Sequence, residues 1–153
     1  MVTLFGGFMI IFKRGDIFAS TVQAIVNPVN CVGIMGAGLA KECKKRYPMN
    51  FIHYEKMCKS KLLQIGKCLT VLENNKLIVN FPTKEHWRNP SKYEYIESGL
   101  QALIKHVVHY QIKSIAIPAL GCGLGGLEFD VVKQLIQTTV SKLDLEVELY
   151  LPL

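Results

Sequence analysis

SIAIPALGCGLGG, residues 114–126, is a β-branched apolar run that passes directly into a loop holding four glycines. Ile115 and Ile117 suit a buried strand, and Val132, Leu135, Ile136, Val140 and Leu143 then recur at helical spacing before a second apolar run, EVELYL (146–151). Strand, glycine loop, helix and strand make one unit of an α/β domain. Residues 121–126 also match GxGxxG, with Glu146 about twenty residues further on, as a dinucleotide fingerprint asks. No second nucleotide-binding half follows. The loop therefore reads as a phosphate cradle and not as a Rossmann oxidoreductase site.

The same alternation extends upstream. The apolar start MVTLFGGFMIIF reads as early strand material, the overlapping FMIIFKRGDIF (8–18) as a buried strand ending at Gly15, and QAIVNPVN (23–30) as another. LAKECKKRY (39–47) keeps helical spacing through Leu39, Cys43 and Tyr47 until Pro48, and MNFIHYEKMCK (49–59) predicts a second helix. KCLTVLE and KLIVNF flank Asn74-Asn75 as a hairpin. Ser91 and Glu94 fit a capping box for a helix carrying Ile96, Leu100, Leu103 and Val107 on one face. This pattern predicts a mixed sheet with helices on both faces, whose ligands lie at the carboxyl ends of the strands.

A chain of 153 residues, half of them apolar, holds one domain with a substantial core. The formal charge of +6 favours acidic partners such as nucleotides or nucleic acid, although the densest basic piece, KECKKR (41–46), also suits a solvated helix face. Five cysteines without CxxC spacing give no zinc pattern and no disulfide framework, which points to a reducing cytosol and no metal. The N-terminal apolar run lacks a basic start and is too short to span a bilayer, so a cytoplasmic location without a membrane partner is expected.

Two further stretches carry chemistry. NPVNCVGIMGAGLA (27–40) clusters Gly33, Gly36 and Gly38 where a helix begins. Backbone without side chains can approach a ligand closely, and a helix start offers free N–H groups to phosphate. A tight turn with close helix packing would use the same glycines. Two such loops suggest a diphosphate gripped from both sides. FPTKEHWRNPS (81–91) sets Lys84 just past an apolar run, beside His86, Trp87 (the only tryptophan) and Arg88. Such a group fits either a packed surface turn or a nucleophile next to a base-stacking platform.

These motifs, taken with Gly15-Asp16-Ile17 and Ala24-Ile25-Val26, resemble the macrodomain family over nearly the whole chain and in the right order. The resemblance implies a single domain over residues 1–153, a three-layer α/β/α sandwich with a central mixed β-sheet that binds ADP-ribose and needs no cofactor. By that likeness Asp16 and the Ile17 N–H meet the adenine, Tyr150 sits near its face, and Asn27 and Asn30 lie beside the distal ribose. Gly33, Ile34, Met35, Gly36 and Gly38 on one side wrap the diphosphate. Ala119, Gly121, Cys122, Gly123, Leu124 and Gly125 wrap it on the other, with Thr83 beside the lysine.

FPTKEHWR further resembles the lysine-dependent branch of that family, the terminal ADP-ribose glycohydrolases and above all the DarG-type antitoxin macrodomains. The branch implies a hydrolase that removes ADP-ribose from modified thymidine in DNA, with Lys84 as nucleophile at the anomeric carbon. An ammonium has no free lone pair, so this role needs a partly dry setting or nearby positive charge. His86, Trp87 and Arg88 become candidate contacts to single-stranded DNA, by stacking and by phosphate binding. A DarT-like toxin is the implied partner. Some lysine-dependent relatives carry an aspartate in the second glycine loop where this chain has Gly125, which leaves proton transfer to Glu85 or His86. Alternatives from the same likeness are deacylation of ADP-ribosyl-glutamate or -aspartate, processing of ADP-ribose 1''-phosphate, and a reader without catalysis. DarG antitoxins carry a further C-terminal domain, whereas this sequence stops at Leu153, so an isolated domain or a stand-alone relative is expected.

Overall fold

The computed structural model describes residues 2–5 and 7–152, with side chains from Gly7 onward; Met1, Gly6 and Leu153 lie outside the described residues. The strands are β1 (Val2–Phe5), β2 (Phe8–Lys13), β3 (Ala24–Val29), β4 (Leu69–Glu73), β5 (Lys76–Pro82), β6 (Ser114–Ile117) and β7 (Glu146–Tyr150). The helices are α1 (Gly38–Arg46), α2 (Pro48–Lys59), α3 (Tyr93–His109) and α4 (Phe129–Val140), and a short 3-10 turn covers Ile17–Ala19. The strands form one sheet in the order β1-β2-β7-β6-β3-β5-β4. The interior pairs are parallel, while β1 on β2 and β4 on β5 are antiparallel, so the sheet is mixed as expected.

Strand alternation sorts the core into two layers. Ala24, Val26, Val79, Phe81, Ile115, Ile117, Val147 and Leu149 point to the face covered by α3 and α4, where they meet Ile96, Leu100, Leu103, Val132, Ile136 and Val140. Ile25, Ile78, Ala116 and Tyr150 point to the opposite face, against Cys43 and Tyr47. Tyr54 and Cys58 of α2 close that layer with Val29 and Met35. This is the three-layer arrangement that the motifs imply. Helix α3 comes very close to the sheet at Gly99, where a Cβ would sit 2.3 Å from Phe81 Cζ. That approach explains a glycine inside a helix, which otherwise costs about 1 kcal/mol against alanine.

Several local expectations shift. The strand read as ending at Gly15 ends at Lys13, and the β-branched run that starts at Ser114 is strand only to Ile117, because Pro118 has no N–H to continue the ladder. Helix α4 stops at Val140, before Leu143. Pro48 both ends α1 and opens α2 as its first residue. Asn74 and Asn75 do form the hairpin, both with left-handed φ (51° and 60°) as its two-residue turn requires. The capping box does not form. Lys92 is the N-cap of α3 without a side-chain bond, and Ser91 is buried elsewhere. None of the described helices is long and apolar enough to cross a membrane.

Candidate functional site

The carboxyl ends of β2, β7, β6, β3 and β5 lie side by side, and a cleft of about 1050 Å³ runs across them. The chain leaves β3 toward α1 on one face and β6 toward α4 on the other. Their loops therefore part and open a crevice, the usual ligand position in such sheets. Strand order sets the order of residues along it. Asp16, Ile17 and Phe18 after β2 and Tyr150 at the end of β7 line one end. The loops 34–40 and 118–125 line the middle, and Asn30, Thr83, Lys84 and Trp87 line the other end.

At the first end Asp16 caps the 3-10 turn, its Oδ1 accepting from the Phe18 N–H at 2.9 Å. Its Oδ2 accepts from Arg46 at 3.4 Å. Tyr150 is buried against Ile17 and presents one edge to the cleft. In the middle, α1 begins at Ala37 without any side-chain cap, so the N–H groups of its first turn are free to face the cleft that Gly38, Leu39 and Ala40 line. The helix dipole is positive there, and Lys44, Lys45 and Arg46 complement its other end. An anion is the natural ligand of this wall.

The opposite wall is a glycine loop built around Ser91. The Ser91 N–H donates to the Gly125 carbonyl at 3.0 Å. A Cβ at Gly125 would lie 2.3 Å from Ser91 Oγ and 2.4 Å from the Gly121 oxygen, so this position admits no side chain. Among the described residues the buried Ser91 hydroxyl has no hydrogen-bond partner. Cys122 lies in the same loop with its thiol toward the Leu120 carbonyl at 3.5 Å, and burial pushes that thiol up to about 11. It stays protonated and is a poor nucleophile near neutral pH.

At the far end the Thr83 N–H donates to Val29 O at 2.9 Å and the Cys31 N–H donates to Glu85 O at 3.0 Å, which ties the lysine segment to the first glycine loop. Lys84 is half-buried, and its Nζ donates to the Trp87 carbonyl at 3.4 Å. Among the described residues no carboxylate lies within ion-pairing distance of it. Trp87 is 45% exposed at the rim, with the Arg88 guanidinium 4.6 Å from its ring centre and the His86 ring 5.2 Å away. His86 Nδ1 accepts from the Arg88 N–H at 3.1 Å.

Most of the expected residues therefore converge, but five do not line the cleft. Asn27 is fully buried on the α1/α2 face, because alternation along β3 turns it there; its Nδ2 donates to Asn80 Oδ1 at 3.1 Å. Asn80 bonds Asn50 in turn at 2.8 Å, so the three amides form a buried ladder. Met35 packs on Tyr54 and Leu63, and Gly33, with φ of 84°, turns its loop over Cys58. Asn30 does line the cleft, yet its amide organises the loop: Oδ1 accepts from Val32 N, Ile34 N and Tyr54 Oη, and Nδ2 donates to Ile34 O. His86 and Arg88 flank the rim outside the lining. Sequence reasoning missed Phe18, Leu39, Glu42, Pro118 and Leu151, which line the cleft. Phe18 was within reach, two residues from Asp16.

Comparison with known proteins supplies the context. The Macro domain family model matches residues 26–136. A Mycobacterium tuberculosis protein named DNA ADP-ribosyl glycohydrolase is 44% identical over 149 residues, which cover 94% of this chain and 42% of that protein. The solved macrodomain of Mycobacterium tuberculosis DarG superposes with a TM-score of 0.93 at 43% identity, covering 95% of this chain and 99% of that one. A Thermosipho africanus DNA ADP-ribosyl transferase-DNA ADP-ribosyl glycohydrolase fusion protein is 39% identical over 92% of this chain and 41% of its own length. The structure of Thermosipho africanus DarTG in complex with ADP-ribose gives a TM-score of 0.89 at 36% identity, over 99% of this chain and 43% of that one. The chain spans less than half the length of these two curated relatives.

Proposed function

This chain belongs to the Macro domain family, and from that premise we propose that it is an ADP-ribosyl glycohydrolase that removes ADP-ribose from thymidine bases in DNA. The observation that carries this reading is the amine of Lys84, half-buried at the far end of a nucleotide-sized cleft and free of any described carboxylate partner. The names of the similar proteins support the DNA substrate. Adenine lies at the Asp16–Tyr150 end, the diphosphate lies between the start of α1 and the loop 121–125, and the distal ribose lies beside Thr83 and Lys84.

The Lys84 amine attacks the anomeric carbon of that ribose through its nitrogen lone pair. The carbon–nitrogen bond to thymine breaks, and the base leaves with the bonding pair and takes up a proton. The adduct opens to an imine, water adds to it, and elimination of the amine releases ADP-ribose and restores the lysine. With no room for an acid at Gly125, proton transfer falls to the thymine and solvent, with His86 and Glu85 the nearest titratable groups in the chain. Trp87 and Arg88 fit an unpaired strand, the ring stacking on a base at roughly 1–3 kcal/mol and the guanidinium holding a phosphate. The substrate is made by a DNA ADP-ribosyl transferase, and the fusion relative supports such an enzyme as partner.

The test is release of ADP-ribose from a thymidine-modified single-stranded oligonucleotide, with an ADP-ribosyl-glutamate peptide alongside. Clearance of the oligonucleotide by the wild type and not by Lys84→Ala is expected. Clearance of the peptide alone moves the activity to proteins. ADP-ribose binding with neither substrate cleaved makes the chain a reader.

A further inference from the structure

The loop that carries Gly15, Asp16, Ile17 and Phe18 into the cleft is held at both ends by one side chain that does not line the cleft, Glu148 of β7. Its Oε2 pairs with Lys13 Nζ at 3.0 Å, where the loop leaves β2. Its Oε1 accepts from Ser20 Oγ at 2.5 Å, where the loop ends, and from Tyr150 Oη at 3.3 Å. The carboxylate is largely shielded from solvent, while its Lys13 partner stays more exposed. The Lys76 amine secures the same corner from the far side by donating to the Ser20 carbonyl at 3.1 Å and to the Val22 carbonyl.

We propose that Glu148 is a positioning residue for the adenine end of the cleft. Clamping both ends of the loop and the phenol of Tyr150, it holds Asp16 and the tyrosine edge at the spacing a purine needs. It thereby sets affinity for the adenylate half of the ligand without touching it. The inference rests on the reading of the cleft as an ADP-ribose site. A role confined to stability would move the melting temperature and leave ligand affinity alone. A positioning role appears instead in ground-state binding, because the adenine end is remote from the reacting carbon.

Two variants separate these outcomes. Glu148→Gln weakens all three bonds, and Ser20→Ala removes only the one at the loop's end. ADP-ribose and AMP binding are titrated by calorimetry, and steady-state cleavage of the modified oligonucleotide is measured in parallel. For Glu148→Gln both ligands are expected to weaken by roughly tenfold, the scale of one hydrogen bond to a charged group, with KM rising and kcat within about twofold of wild type. Ser20→Ala is expected to follow in the same direction with a smaller factor. Unchanged AMP affinity in both folded variants overturns the proposal, as does a fall in kcat at constant KM. If the wild type itself binds neither ADP-ribose nor AMP, the cleft reading fails and takes the proposal with it. If the wild type binds both and cleaves neither substrate, only the glycohydrolase reading fails, and the binding data still decide the role of Glu148.

Discussion

Gly125→Ala adds a single methyl group, yet its site has no space for one. The new Cβ would stand 2.3 Å from Ser91 Oγ, 2.4 Å from Gly121 O and 2.9 Å from Ser91 Cβ. The serine could turn aside, but the Gly121 oxygen belongs to backbone and accepts the Leu127 N–H at 2.9 Å. Overpacking of this kind costs about 1–3 kcal/mol. At about 2–4 °C per kcal/mol for a chain of this size, the melting temperature should fall by roughly 2–12 °C. The loop must also move, so ADP-ribose affinity should drop with it. Gly123→Ala is the matched control, since nothing lies within 4 Å of its added Cβ and its φ is not in the left-handed region. The double variant Ser91→Gly/Gly125→Ala should recover only part of the loss, because the contact with Gly121 O remains. Thermal unfolding with and without ADP-ribose reads all three. Wild-type stability and affinity in Gly125→Ala, or equal damage in Gly123→Ala, would refute the reasoning.

Other expectations follow from the same packing and charges. Asn80→Ala strands the amides of Asn27 and Asn50 in the core, and should destabilise by about 3 kcal/mol in denaturant melts. A loss under about 1 kcal/mol would mean that the ladder is dispensable. Burial alone would raise Glu148, but hydrogen bonds from Ser20, Lys13 and Tyr150 and the Lys13 charge outweigh it and hold the carboxyl below its ordinary 4.5. The unfolded state then binds the proton more readily, so this stability is present above about 4.5 and fades as pH falls through the lower folded value. Melts from pH 6 to pH 3 should show a shallower acid limb in Glu148→Gln, and parallel limbs would contradict the assignment. Cys122 should alkylate slowly at pH 7.5 by mass spectrometry, because burial holds its thiol up at about 11, and rapid labelling would contradict that burial.

The architecture was legible because each core strand carries its apolar residues on both faces and each helix on one stripe, patterns that survive without any tertiary information. The two glycine loops and the lysine segment were legible as motifs. What escaped depends on direction in space. Asn27 and Asn30 are three residues apart in one motif, yet only Asn30 reaches the cleft, since strand pleating turns Asn27 into the core. Ser91 matched a helix cap by spacing, but its place under Gly125 arises from two segments far apart in the chain. Met35 and Gly33 belong to the expected loop and serve its packing. Glu148 carried no local signal at all: its three partners come from β2, the turn after it and β7.

The most direct test of the central claim is reductive trapping. The protein is mixed with thymidine-modified single-stranded DNA in the presence of cyanoborohydride, and its peptides are mapped by mass spectrometry. A stable ADP-ribose adduct on Lys84, formed during turnover and absent in Lys84→Arg, is the predicted result. Release of ADP-ribose at the wild-type rate by Lys84→Arg, with no adduct on the wild-type lysine, would contradict it.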